Sequence, residues 1–443
     1  MDKVRENSML KVLMFGWEFP PHISGGLGTA CYGLTKGLSK IKNIEVIFVV
    51  PKYFGDEESK HVQLIGANQI PVKITQVAYE LNYGKLMEWV EVGSKIIPYT
   101  SPEDYYQLKR ESSNEKQLLL QTDSQGRIPF SGGYGTNLYN EINNYSLVAA
   151  QLSKIYDFDI IHAHDWLTYP AGIAAKQASG KPLVLHVHAT DFDRSGGSVN
   201  PTVYAIEKEG MNRADAIITV SNLTRNTVIA NYSISPKKVV TIHNAVEPIG
   251  LPIKQTNLKN GIDEKIVTFL GRITLQKGPE YFIEAANKVL QKMENVRFVM
   301  AGSGDMMHKM VERAARLGIT DKFHFTGFLK GADVLKMFSK SDLYIMPSVS
   351  EPFGISPLEA MQSGVPVIIS KQSGVSEILK HAIKIDFWDI DKMANAIYSI
   401  LSYPALSNFI KQNGLAEANN LIWDKPAKKV YQVYKKTLRN VKA

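Results

Sequence analysis

Cysteine is almost absent. Cys31 is the single thiol in 443 residues, so no internal disulfide can form and no cluster of thiolates can hold an ion. Long apolar runs are missing too: none approaches the roughly 20 residues that a membrane-spanning helix needs. The opening stretch, MDKVRENSMLKVLMFGWEFPP, is basic, but its apolar run is short and stops at Trp17-Glu18, unlike a secretory signal. A cytoplasmic protein is expected. Strong charge bias is also lacking, since 51 Lys and Arg against 43 Asp and Glu leave a formal +8. That modest excess suits an anionic ligand. Part of it is local: Lys425, Lys428, Lys429, Lys435, Lys436, Arg439 and Lys442 lie in a tail with no acid. No nucleic-acid-binding signature and no stripe of aromatics interleaved with arginine accompanies them, so no nucleic-acid partner is expected.

What is present is globular: 44% hydrophobic and 21% charged residues, over a length that suits two domains of roughly 200 residues each. Short Val- and Ile-rich runs alternate with helix-period segments. KVLMFG, IEVIFVV, DIIHAH, PLVLHVHA, AIITVS and VVTIH read as buried strands, with YPAGIAAKQAS and NLTRNTVIANY as helices between them. The alternation predicts a parallel sheet covered on both faces. From about Pro51 to Gly135 the pattern is less regular, and QVAYELNYG with KLMEWVEVGSKIIPYT suggests a hairpin among insertions. A Pro- and Gly-containing polar stretch then breaks the pattern near Glu247. The alternation restarts with KIVTFLGR, VRFVMAGSG, FHFTGF, LYIMPS, VPVIIS and AIKI. The expected organisation is α/β throughout: a doubly wound first domain over 1–247, a linker over 248–264, a doubly wound second domain over 265–423, and a basic terminal helix over 424–443. Ligands of such sheets bind at the carboxyl ends of strands, so two facing domains would make a cleft.

The candidate functional residues fall at those strand ends. ISGGLGTA follows the first strand, and Gly25, Gly26 and Gly28 would let a ligand approach the backbone ahead of a helix N-terminus. The spacing is neither G-x-G-x-x-G nor a Walker loop, and a tight turn explains it equally well. LGRITLQKGPE places Arg272 and Lys277 before a helix. Cations there are locally unfavourable unless an anion joins them, so the pair reads as a diphosphate site; solvated surface cations are the plainer alternative. IIHAHDWL and LHVHATDFD set His162 and His164, then His186 and His188, on one face of neighbouring strands by period two. Asp191-Phe192-Asp193 matches a D-x-D pattern. No close-set further ligand accompanies either group, so no metal is expected, and His162 and His186 are expected as satisfied, half-buried imidazoles. Finally, SEPFGISPLEA holds Glu351 and Glu359 with seven residues between them. Ser356-Pro357-Leu358-Glu359 reads as a capping box, with Ser356 at the N-cap.

Together GGLG, HAHDW, GRITLQKG, MAGSGD and SEPFGISPLEAMQSGVPVI resemble the retaining glycosyltransferases of the two-domain B architecture, above all family 4 and the bacterial glycogen and starch synthases. The likeness runs from about Lys11 to Trp423. It implies a nucleotide-sugar donor, ADP- or UDP-glucose first, no further cofactor, and an α-glucan acceptor. Glu351 then matches the family glutamate that contacts the donor sugar, and Glu359 the one that binds the ribose hydroxyls. Arg272 and Lys277 match the diphosphate-binding pair, and His164 the histidine that faces the donor sugar. Gly25, Gly26, Gly302, Gly354, Ile355 and Ser356 fall among the donor contacts. The chain departs from glycogen synthases at Ile23-Ser24, where a lysine usually precedes the glycine pair. A family 4 transferase with a lipid, cell-surface or small-molecule acceptor is therefore the alternative, and a non-catalytic sugar-binding module a third. The terminal basic helix is expected to pack on the first domain, with a membrane surface as the other possibility.

Overall fold

Apolar runs that are continuous rather than alternating imply strands covered on both faces, and the strand burial agrees: every residue of the fourth and fifth strands is buried. The computed structural model describes residues 9–23, 25–72, 122–248 and 263–442. The expected hairpin in QVAYELNYG and KLMEWVEVGSKIIPYT, and most of the linker, lie outside them.

The chain divides into two units, one of residues 1–192, 198–244 and 423–443, the other of 193–197 and 245–422. The first holds β1 (Leu10–Phe15), β2 (Ile44–Val50), β3 (Gln63–Gly66), β4 (Ile160–His164), β5 (Leu183–Val187), β6 (Ala216–Thr219) and β7 (Val239–Thr241). They form a parallel sheet in the order β3-β2-β1-β4-β5-β6-β7. Its helices are α1 (Gly26–Ser39), α2 (Leu138–Ile155), α3 (Tyr169–Ser179), the short α4 (Asp191–Ser195), α5 (Pro201–Arg213) and α6 (Asn222–Tyr232). The second unit holds β8 (Lys265–Leu270), β9 (Val296–Ala301), β10 (Phe323–Gly327), β11 (Leu343–Met346), β12 (Val367–Ser370) and β13 (Ile383–Ile385). These are parallel as well, in the order β10-β9-β8-β11-β12-β13. Its helices are α7 (Pro279–Leu290), α8 (Met307–Arg316), α9 (Ala332–Lys340), α10 (Ser356–Gln362), α11 (Ile390–Ser402) and α12 (Pro404–Asn419). Both are doubly wound Rossmann-like sheets, as the alternation predicted. Each unit has its own apolar core, one around Phe15, Tyr145 and Leu185, the other around Phe269, Phe282 and Ile345.

The last helix, α13 (Asp424–Lys442), belongs to the first unit and packs on α1. Its inward side is Ala427, Val430, Val433, Tyr434 and Thr437, all buried. Lys425, Lys428, Lys429, Lys436 and Arg439 are exposed on the other side. The apolar stripe is thus consumed by the fold, which is the packed arrangement expected for it. No helix among the described residues is long and apolar enough to cross a membrane.

The α1–α13 contact is close because α1 offers glycines. A Cβ on Gly33 would lie 2.0 Å from Trp423 Nε1, and one on Gly37 would lie 2.8 Å from Trp423 O and 2.9 Å from Ala427 Cβ. In an open helix, alanine for glycine stabilises by about 0.5–1 kcal/mol. Here the sign should reverse. Gly33→Ala is expected to destabilise the protein by about 1–3 kcal/mol through overpacking, read as a lower urea midpoint. A midpoint that stays or rises would show that the indole is not seated there.

Candidate functional site

A doubly wound sheet opens a crevice where its strand order reverses, because the connections on either side leave in opposite directions. In the second unit that point lies between β8 and β11, which pair directly. The loop after β8 carries Arg272 and Lys277, and the loop after β11 carries Glu351, Gly354 and Ile355. The topology therefore brings together two motifs that lie far apart in sequence.

The two loops touch. Val349 N donates to Gln276 O at 2.9 Å. Gly278, at φ +66°, has no room for a side chain, since its Cβ would fall 2.1 Å from Pro347 O. Lys277 Nζ reaches Glu351 Oε2 at 2.5 Å, with 21% and 9% of the two side chains exposed. Ser348 Oγ donates to the same carboxylate oxygen at 3.3 Å. The Glu351 backbone is held independently: its N–H donates to Gln372 O and its carbonyl accepts from Gly374 N, both at 2.9 Å. A carboxylate this enclosed requires a partner, and Lys277 supplies it. Arg272 is half-buried on the same loop, ahead of α7.

Gly302 and Gly354 answer to backbone geometry. A Cβ on Gly302 (φ +142°) would meet Gly271 O at 1.8 Å. Gly354 sits at φ +94°, with its Cβ position 3.0 Å from Met346 Cε. Both belong to the same crevice edge.

The capping box is not formed. Ser356 is the first residue of α10, with Ile355 at the N-cap and no side-chain cap. Ile355 O accepts from Leu358 N at 2.9 Å and Glu359 N at 3.2 Å. Ser356 Oγ instead meets the Tyr344 hydroxyl at 2.8 Å, and that hydroxyl also donates to Leu270 O at 3.3 Å. Tyr344 is fully buried, and a buried phenol must find polar partners. It takes the serine that a cap would have used, and in doing so ties the end of β8 to the start of α10. Burial pushes the Tyr344 hydroxyl well above its usual range. Glu359, left without the box, is half-buried, and desolvation pushes its carboxyl up to about 7.

In the first unit the order reverses between β1 and β4. Gly25 and Gly26 have nothing within 4 Å of their Cβ positions, whereas a Cβ on Gly28 would strike Ile23 Cγ2 at 2.3 Å. Only the first two glycines leave open backbone; Gly28 is there for packing. His164, at the end of β4, is 0% exposed. It sits beside His162, His186 and His188, with ring centroids 4.2, 5.2 and 5.2 Å away. Burial first, then the neighbouring imidazoles, hold His162, His164 and His186 well below the usual histidine value; burial alone takes His188 down to about 3. The expected half-buried, satisfied state of His162 and His186 is wrong. They are 0% and 2% exposed, and among the described residues neither nitrogen of His186 nor Nε2 of His162 has a hydrogen-bond partner. The strands lie deeper under α1 and α13 than a count along the chain can register.

Asp165 is a residue that sequence reasoning passed over. It adopts φ +61°, donates its N–H to His186 O, and accepts from His188 N at 2.9 Å and Ala189 N at 3.2 Å. It clamps the carboxyl end of β4 to that of β5. An aspartate directly after a buried strand, where αL is tolerated, was the available signal. Asp191 Oδ2 accepts from Asn200 N at 2.6 Å, and the D-x-D pair belongs to no group of three ligand-capable side chains among the described residues.

Two family sequence models match this chain. One, described as Glycosyltransferase Family 4, covers residues 115–248; the other, Glycosyl transferases group 1, covers 253–417. The uncharacterized glycosyltransferase MJ1607 of Methanocaldococcus jannaschii is 28% identical over 96% of this chain and 98% of its own. The glycogen synthase of Mycobacterium tuberculosis is 24% identical over 89% of this chain and 87% of its own. Among solved structures, Anabaena HepE in complex with UDP and glucose superposes with a TM-score of 0.66 at 17% identity, covering 96% of this chain and 100% of that one.

The raised carboxyl of Glu359 sets a pH dependence. The folded state keeps this proton up to about pH 7, whereas an ordinary glutamate releases it near 4.5. Between those values the folded chain binds more protons than the unfolded one, so stability falls as pH rises and the loss is complete above about 7. Glu359→Gln removes the titration. The variant should exceed the parent in stability by about 1 kcal/mol or more at pH 8, and the two should converge at pH 4. Equal denaturation midpoints at both pH values would contradict this account of Glu359.

Proposed function

The chain belongs to the family 4 nucleotide-sugar glycosyltransferases of the two-domain B architecture, and from that premise we propose that it transfers glucose, with retention, from ADP- or UDP-glucose to the non-reducing end of an α-glucan. The observation that carries the proposal is the Lys277–Glu351 pair, held at 2.5 Å across the β8 and β11 loops with Arg272 on the same strand end. The likeness to a glycogen synthase along most of both chains supports the acceptor, and a neighbour described with UDP and glucose supports the donor class.

The residues divide the work as follows. The diphosphate of the donor sits against Arg272 and Lys277 at the N-terminal end of the 12-residue helix α7, where side-chain charge and helix dipole act together. Binding draws Lys277 toward the phosphates and leaves the Glu351 carboxylate for the sugar hydroxyls and the positive charge that develops at the anomeric carbon. The C1–oxygen bond breaks, and its electron pair goes to the leaving phosphate. The acceptor hydroxyl attacks C1 on the same face and passes its proton to a leaving phosphate oxygen. Glu351 forms no covalent bond, and no metal takes part in transfer. Glu359, ionised, accepts hydrogen bonds from the ribose hydroxyls, and Gly354 and Ile355 offer backbone amides. We assign the protein to the cytoplasm.

Release of nucleoside diphosphate, measured for each donor with glycogen, with small-molecule acceptors and with neither, tests the reading. Stimulation by glycogen supports it. Stimulation by a small acceptor or a lipid alone assigns the chain to the other branch of the family. Lys277→Ala should lower kcat by the order of 10²-fold, because its interaction grows as the phosphate departs. Glu359→Ala should mainly raise the donor KM, since ribose contacts are equal in ground and transition states. Loss of turnover in Glu359→Ala with an unaffected Lys277→Ala would overturn these assignments.

A further inference from the structure

The histidine cluster of the first unit contains more than transfer needs. His164 and His186 are register partners on β4 and β5, and His162 shares their face by period two. His162, His164 and His186 are 0%, 0% and 2% exposed. One ligand atom from each lies within 4.8 Å of the other two.

Their hydrogen bonds point the same way. His162 Nδ1 is 2.6 Å from the Tyr434 hydroxyl, and His164 Nδ1 is 2.9 Å from His188 Nε2. With both δ nitrogens engaged, Nε2 of each ring is buried and has no hydrogen-bond partner among the described residues, and His186 has none there at either nitrogen. Buried imidazole nitrogens without partners are costly, and a core with three of them side by side can satisfy all three at once with one ion. Metal-bound histidines use their second nitrogen for an oriented hydrogen bond, which is the pattern at His162 and His164.

We propose that His162, His164 and His186 bind one borderline divalent transition ion, zinc in the first instance, as a structural centre joining β4 to β5. Nitrogen-to-zinc bonds are about 2.0–2.1 Å long, so the rings must draw slightly inward. Cys31 Sγ forms a second such triad with His164 and His188, which puts a sulfur ligand beside the centre. This site lies in the first unit, whereas Arg272 and Lys277 lie in the second.

The test uses tag-free full-length protein, stripped of metal by unfolding in chelator and refolded, then titrated with Co(II) and with Zn(II). One equivalent of cobalt should bind with the intense visible bands of a four-coordinate site, zinc should displace it, and zinc should raise the melting temperature. His186→Phe should lose the cobalt spectrum, lose the response to zinc, and melt below the zinc-loaded parent. Without a metal site the sign reverses, because an apolar ring in place of an unpartnered imidazole is neutral or stabilising. Should His186→Phe fail to fold, the parent's stoichiometry and His162→Gln carry the test. A parent that takes up less than a tenth of an equivalent at micromolar free ion overturns the proposal. So does a variant that keeps the cobalt bands, or a His186→Phe protein as stable as the zinc-loaded parent.

Discussion

The candidate site in the second unit depends on how closely the loop after β8 approaches the loop after β11. Gly278 must be glycine for the two to meet, because its Cβ position lies 2.1 Å from Pro347 O. Once they meet, Gln276 O takes the Val349 amide, and Lys277 is held against Glu351. Neither charged residue would hold its position alone. An enclosed carboxylate without its lysine would be desolvated for nothing in return. The ion pair is a product of backbone packing at a topological reversal, and the glycines around it (Gly278, Gly302, Gly354) make that packing possible.

A consequence is that the charge of Lys277 is already matched by Glu351 within the free protein. In the proposed reaction Lys277 would reach the diphosphate from a strong partner, so part of the attraction between cation and anion would replace the existing pair instead of adding to it. Glu359 shows the opposite condition. Desolvation raises its carboxyl to about 7, so near neutral pH it is divided between protonated and ionised forms, and a bound ribose that donates hydrogen bonds would favour the ionised one. One carboxylate is paired with an internal cation; the other, raised by desolvation, would be held ionised by a ligand that donates to it.

Much of the fold was legible because parallel strands covered on both faces read as unbroken apolar runs. KVLMFG, DIIHAH and LYIMPS became β1, β4 and β11 almost residue for residue. β3 was not recognised: Gln63–Gly66 is an edge strand of four residues, one of them exposed. Charged motifs could be placed at strand ends by counting, and the sheet order then brought the loop of Arg272 and Lys277 against that of Glu351. What failed was everything set by a distant partner. Ser356 looked like a cap by its local spacing, but a tyrosine 12 residues earlier takes its hydroxyl. His162 and His186 looked half-buried because period two gives the face of a residue and not its depth, which helices at both ends of the chain, α1 and α13, decide together.

The seat of Trp423 on the glycines of α1 also bears on the order in which the chain acquires its shape. The first unit is interrupted by the second: residues up to Asn244 belong to it, apart from 193–197, and so do residues 423–443. During synthesis the first sheet can assemble early, since chains fold from the amino end as they emerge. The groove at Gly33 and Gly37 nevertheless stays uncovered until the whole second unit has left the ribosome. A nascent chain stalled anywhere in the second unit would show quality-control machinery an apolar strip along α1, which closes only once α13 has been made.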